Sequence, residues 1–313
     1  MQTTDNQARL FFFLGPHFGV LFLKKIIHYF NSSNYKVVTY SEESDSYYGY
    51  ENVIDYCKIN NIDFLDTSTN KREVLNLFTQ FNPTIILCGY YAKILPIEIL
   101  KLAQDGAYNI HPGKLPNYRG PFPTAWALIN NEQEIGITIH EMDSRIDTGH
   151  IVAQKVYTIL QDETGYELYR RSMELSAEYL FSFMPDILKK NYEPIDQVTI
   201  GMGSYYGKID SHYHIDWKDN TKRIRNLVRV HSKPYFPAYT FLKNKMLLVN
   251  RCNPITNQAT KLQGPGRILD VTPDSTFYVS CGDGIIEVAD YDLCPLNNNS
   301  RKEEFIKKGL QLF

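Results

Sequence analysis

The sequence lacks the features that place a protein at a glance. Its five cysteines (Cys57, Cys88, Cys252, Cys281 and Cys294) are odd in number, scattered, and include no CxxC pair. That pattern speaks against a zinc framework and against a disulfide scaffold, so no metal is expected and a reducing cytoplasm is the simplest setting. Repeats and low-complexity stretches are absent. Charge of one sign is lacking too, since a formal net charge of −2 gives no general argument for nucleic acid or an anionic membrane. The apolar run RLFFFLGPHFGVLFLKK (Arg9–Lys25) is too short to span a bilayer. Gly15-Pro16-His17 interrupts it and no small-x-small site comes after it, so a buried strand running into a helix is expected, not a signal peptide.

What is present is ordinary for a globular chain, with 43% apolar and 22% charged residues. A length of 313 residues leaves room for one large domain plus a smaller one, or for two of medium size. Charge is unevenly spread: residues 1–209 hold 18 basic and 24 acidic groups, residues 210–313 hold 15 and 11. The carboxy-terminal part is thus mildly positive, which suits an anionic ligand without demanding one.

Up to about residue 110, strand-like runs (Leu10–Leu14, Lys36–Tyr40, Ile62–Leu65, Thr84–Gly89, Ala107–Ile110) alternate with helical patterns (Phe18–Phe30, Glu51–Ile59, Lys71–Phe81, Leu95–Ala103). This alternation predicts βαβ units and an open, mostly parallel, Rossmann-like α/β sheet covered on both faces. IGITIHEM and HIVAQKVY then read as an antiparallel excursion around the turn DSRIDTG, and a long helix is expected from Thr164 to Leu188. After Gly201–Gly207 the texture changes. A helix over Asn220–His231 and short strands with KN and GDG turns predict a small antiparallel β-barrel. The expected domains are therefore residues 1–207 and 208–313.

The stretch NIHPGKLPNYRGPFPTAW (residues 109–126) stands apart. Asn109 and His111, two residues apart on a strand, project from one face, at the carboxyl end where open α/β sheets hold ligands. Pro112, Pro116, Pro121 and Pro123, with Gly113 and Gly120, stiffen the loop beyond them. Asp147 lies in the turn of MDSRIDTGHIVAQ. Taken singly, each has an ordinary reading: a polar strand end, and a turn aspartate. His17, His28, His212, His214 and His231 read as surface or core residues. His140, on a strand next to the site, is read as structural first and as a substrate contact second.

Together these segments resemble the folate-dependent formyltransferases, the methionyl-tRNA and nucleotide-linked sugar N-formyltransferase type. The shared pattern is N-x-H with a downstream LP-x-x-RG loop, then G-x-T-x-H-x-M and D-x-G-x-I-x-x-Q. It covers most of residues 9–190, with weaker similarity (IDW, IRNLVRV, PYFPAY, GDGIIEV) beyond. The resemblance implies the formyltransferase fold with an OB-like carboxy-terminal domain, and formyl transfer from the co-substrate 10-formyltetrahydrofolate to an amine. In that role Asn109 stabilises the oxyanion, His111 moves protons, and Asp147 orients the histidine and raises its pKa. By position the pterin is expected between Lys93, Ile94 and Leu95 on one side and Asp143, Ser144, Arg145 and Ile146 on the other.

Three acceptors are weighed. Initiator methionyl-tRNA is the alternative, but the connection YSEESDSYYGYE is acidic where a basic insertion would meet phosphates. A single-domain purine-pathway enzyme would lack residues 208–313. A nucleotide-linked amino sugar of surface polysaccharide is preferred, because SYYGKIDSHYHIDW is similar to the corresponding stretch of sugar-acting relatives. Tyr205 or Tyr206 would stack on a base or sugar, and Lys208 or Arg119 would meet a diphosphate; the plain alternative is a tyrosine-rich connector. Pro121 stands where some sugar-acting members have arginine. A homodimer is expected. A non-catalytic folate- or nucleotide-binding homologue is a further alternative, weighed down by the intact trio.

Overall fold

The structure, a computed structural model, describes residues 8–41, 49, 51–68, 71–210, 212–255, 264–294 and 305–313. Most of the acidic connection after the second strand (42–48 and 50) lies outside the described residues.

The first part of the chain runs β1 (Leu10–Leu14), α1 (Gly19–Tyr29), β2 (Tyr35–Thr39), α2 (Val53–Ile59), β3 (Phe64–Asp66), α3 (Lys71–Phe81), β4 (Ile85–Gly89), α4 (Ile97–Leu100) and β5 (Gly106–His111). Then come α5 (Pro123–Ile129), β6 (Glu134–Glu141), β7 (Ile151–Thr158), α6 (Gly165–Lys189) and α7 (Gln197–Ile200). Seven strands form one sheet in the order β3-β2-β1-β4-β5-β6-β7. The pairs among β1 to β5 are parallel, and β6 runs antiparallel to β5. The expected α/β class is the observed one.

Local sequence explains why these elements form. Strand β1 is buried along its whole length, as a central parallel strand must be. Its period of two sends Leu10, Phe12 and Leu14 into one core with α1 and α6, and Phe11 and Phe13 into another with Phe78 of α3. Helix α6 starts on a capping box: Thr164 Oγ1 accepts from the Glu167 amide at 3.2 Å, and Glu167 Oε2 accepts from the Thr164 amide at 2.9 Å. The helix expected over Leu95–Ala103 shrinks to one turn. Pro96 sets its start, and the chain must already bend toward Gly106, whose φ of +120° only glycine takes readily.

The carboxy-terminal part contains α8 (Thr221–Val230), β8 (Ala238–Leu242), β9 (Lys245–Ile255), β10 (Ile268–Val271), β11 (Phe277–Ser280) and β12 (Ile285–Cys294). Its five strands make an antiparallel sheet in the order β10-β11-β12-β9-β8. Residues 310–313 join the two edges. Phe313 exchanges both backbone bonds with Phe241 beside one edge, while Leu310 and Leu312 pair with Ile268 and Gly266 at the other. Closing a sheet in this way removes free edges. Trp217 is core here, donating its indole N–H to Thr240 Oγ1 at 3.0 Å.

The chain divides into two compact units. One comprises the described parts of Met1–Pro123, Glu134–Tyr157 and Arg170–Gly207; the other comprises Thr124–Gln133, Thr158–Tyr169 and Lys208–Phe313. Two short segments that precede residue 208 thus belong with the carboxy-terminal unit. Among the described residues no helix is long and apolar enough to cross a membrane.

Candidate active site

Strand β5 sorts its side chains by parity. Tyr108 and Ile110 join the core with Ile137 and Ile139 of β6, leaving Asn109 and His111 on the opposite face. Strand β6 follows the same alternation. Its register sets His140 opposite Asn109 and Thr138 opposite His111, so four polar side chains share one face.

His111 is 4% exposed. Its Nε2 lies 2.7 Å from the carbonyl oxygen of Tyr118. A carbonyl only accepts, so Nε2 carries the proton and Nδ1 is the bare nitrogen of the uncharged ring. Nδ1 stands 3.6 Å from Asp147 Oδ2. Burial pushes the imidazole pKa below its ordinary value, and the neighbouring Asp147 charge offsets this only in part. The expectation that Asp147 raises the histidine's pKa is therefore met in direction by one contribution and outweighed by desolvation.

Asp147 sits in the β6–β7 turn in the left-handed region, with φ of 55°. Burial works against its charge, but His111 and His140 in their protonated forms, and the Gly120 amide, which donates to Oδ2 at 2.9 Å, hold the carboxyl well below the usual range. His140 Nε2 lies 3.4 Å from Asp147 Oδ1 and 3.1 Å from Asn109 Nδ2, while its Nδ1 lies 2.7 Å from the Glu141 carbonyl. Asn109, His111 and Asp147 thus converge, with His140 as a fourth member.

The loop after β5 is held by side chains to which no role of their own is assigned from sequence. Thr138 Oγ1 donates to the Gly113 carbonyl at 2.6 Å, and Gln154 Nε2 donates to the Leu115 carbonyl at 2.9 Å. Gln197, 1% exposed, donates through Nε2 to the carbonyls of Asp147 (2.9 Å) and Gly149 (2.7 Å). Its Oε1 accepts from Arg119 Nε at 3.0 Å and Nη2 at 2.7 Å. Thr138 and Gln154 both stand in the quoted motifs, and the T-x-H of β6 repeats the N-x-H of β5. Gln197 lies 50 residues from Asp147, in an isolated turn of helix, and carries no comparable signal.

The other expected residues are more dispersed. Lys93 places Nζ 4.1 Å from the centre of the Tyr40 ring. Ile94 is exposed, Leu95 half-buried, and Ser144, Arg145 and Ile146 exposed. Asp143 organises its own turn by accepting from the Arg145 amide and the Thr148 hydroxyl. Tyr206 stacks on Tyr118 at 5.2 Å, whereas Tyr205 is 58% exposed. Lys208 is exposed and belongs to the carboxy-terminal unit. A cavity of about 430 Å³ beside Lys36, Asp63 and Gln80 lies at the β2–β3 end of the sheet and does not include these groups. Among the described residues no group of three His, Cys, Asp or Glu side chains is arranged to hold a metal ion.

Fold and cluster together define an open α/β protein with a candidate acid–base site at the carboxyl edge of its parallel sheet. Comparison with known proteins narrows the class. The chain belongs to the formyl transferase family: the Formyl transferase domain matches residues 22–184, and the Formyl transferase C-terminal domain matches residues 208–294. A curated relative is the bifunctional polymyxin resistance protein ArnA of Wigglesworthia glossinidia brevipalpis, 32% identical over 253 residues. That match takes in 80% of this chain but only 38% of the relative's length. Among solved structures, the N-formyltransferase of Helicobacter canadensis, in complex with folinic acid and dTDP-3-aminofucose, superposes with a TM-score of 0.71 at 21% identity, over 91% of this chain and 100% of that one. WlaRD, a sugar 3N-formyl transferase, gives 0.69 at 20% identity, over 93% and 99%. These structural likenesses carry the fold.

Proposed function

We propose that this chain transfers a formyl group from 10-formyltetrahydrofolate to the amine of a nucleotide-linked amino sugar. The observation that carries the reading is the convergence of Asn109, His111 and Asp147 on one face of β5 and β6. It is supported by the structural relatives, since the Helicobacter canadensis protein holds folinic acid with dTDP-3-aminofucose, and WlaRD was solved in the presence of dTDP and 5-N-formyl-THF.

Each residue answers one chemical demand. When the amine nitrogen bonds to the formyl carbon, the carbonyl electron pair moves onto oxygen, and a free N–H of Asn109 meets that oxyanion. The attacking nitrogen must shed a proton, which His111 accepts at Nδ1. Asp147, ionised and 3.6 Å away, stabilises the imidazolium so formed. As the intermediate collapses, the bond from carbon to the folate nitrogen breaks and His111 returns the proton to that leaving nitrogen. On the acceptor side, Tyr205 is free to stack on a base or sugar, while Arg119 spends Nε and Nη2 on Gln197 and braces the site.

The test mixes pure protein and 10-formyltetrahydrofolate with dTDP-, UDP- and GDP-linked amino sugars and with methionyl-tRNA. Mass spectrometry is expected to show a 28 Da gain, about one formyl in place of one hydrogen, on an amino sugar. Formylation of tRNA alone would overturn the choice of acceptor, and formylation of nothing would favour a binding protein.

A further inference from the structure

We infer that His140 is a positioning residue that fixes the Asn109 amide with its nitrogen, not its oxygen, toward the imidazole, leaving one N–H free for the reacting carbonyl. This rests on the reading of Asn109 as the oxyanion donor.

For the uncharged His140 ring, donor and acceptor chemistry leaves one arrangement. The Glu141 carbonyl, 2.7 Å from Nδ1 of His140, can only accept, so Nδ1 bears a proton. In the uncharged ring Nε2 must then be an acceptor. Two groups stand before it. Asp147 Oδ1 at 3.4 Å is itself an acceptor and lies beyond the usual hydrogen-bond range. Asn109 at 3.1 Å can satisfy Nε2 only by presenting Nδ2. The reverse amide orientation would set lone pair against lone pair. One N–H of Asn109 is therefore committed to His140 and the second remains available. The strand register enforces the pairing, since Asn109 and His140 are directly opposed across β5 and β6.

Two substitutions separate positioning from mere support. His140→Gln can place an amide oxygen where Nε2 stands and accept from Asn109, whereas His140→Leu offers no acceptor. The leucine variant is expected to lower kcat about 10- to 100-fold, the scale of a misplaced catalytic group, with KM for both substrates little changed. The glutamine variant should recover at least ten-fold of a hundred-fold loss. In an Asn109→Ala background, His140→Leu should cost nothing further, because both changes remove the same donor. Nitrogen-15 spectra of the unliganded wild-type protein should show His140 protonated on Nδ1 and bare at Nε2, with one Asn109 side-chain amide proton bonded to it.

Equal damage from glutamine and leucine, an additive loss in the Asn109→Ala background, or a rise confined to KM would overturn the inference. So would a His140 ring protonated at Nε2. The spectra need neither turnover nor a stable leucine variant. If the wild-type protein formylates no acceptor, the functional reading fails while the bond between His140 and Asn109 is still decided.

Discussion

In the proposed mechanism His111 meets opposing demands: it must be uncharged to take a proton, yet it stands beside a carboxylate that favours the cation. Burial prevails and moves its pKa below the ordinary 6.5, so the ring stays uncharged through neutral pH and charges only on the acid side. In the proposed mechanism, kcat/KM is expected to be level near neutrality and to fall along an acid limb centred below 6.5. Asp147→Asn removes the charge that partly offsets burial, so the limb should shift further toward acid pH while the rate drops; a wild-type limb centred above 6.5 would contradict this account. In the same proposal Asn109 contributes differently, through a donor that never titrates. Asn109→Ala is expected to lower kcat by about two to three orders of magnitude without moving the pH limb, checked by the same rate profile. Calorimetry should find folate binding intact in that variant.

The loop between β5 and α5 turns these residues into a site. Gly113 sits so close to the His111 imidazole that a Cβ added there would meet His111 Nε2 at 2.5 Å and the Tyr118 carbonyl at 3.1 Å. Those are the two atoms of the bond that fixes the ring. Gly113→Ala should therefore drive His111 off Tyr118 and cost about 10- to 100-fold in kcat, with an unchanged far-UV circular dichroism spectrum. A variant with wild-type kcat would show that the Tyr118 bond is dispensable. The β6–β7 turn is braced from further away, since Gln197 reaches the Asp147 and Gly149 carbonyls while Arg119 grips its other end. Arg119, expected from sequence as a diphosphate contact, is thus half of a clasp. The LP-x-x-RG pattern identified the residue; the partner 78 positions along the chain was invisible in it.

At the level of the whole molecule, the two units carry separate liabilities. In the carboxy-terminal unit His231 is 5% exposed, stacks on Tyr213 at 5.5 Å, and is pushed down by burial to a pKa of about 4. The unfolded chain takes up that proton near 6.5, so His231 supports the fold above that pH and the support is lost as pH falls through 4. The full effect is roughly 3 kcal/mol. Urea midpoints should fall between pH 6.5 and 4, and His231→Gln should flatten that slope; an unaltered slope would place the titration elsewhere. The sequence alone determined the strand and helix alternation, the shared face of Asn109 and His111, and the stiffness of the proline-rich loop beside them. The first two depend on periodicities of 3.6 and two residues and the third on proline's locked φ, all of which are local and written in the chain itself. Only the tertiary structure decided which carbonyl holds which imidazole nitrogen, that His140 stands opposite Asn109, and that Gln197 braces the carboxylate turn. Those outcomes depend on sheet register and on contacts between residues 7 to 78 apart, for which no local spacing rule exists.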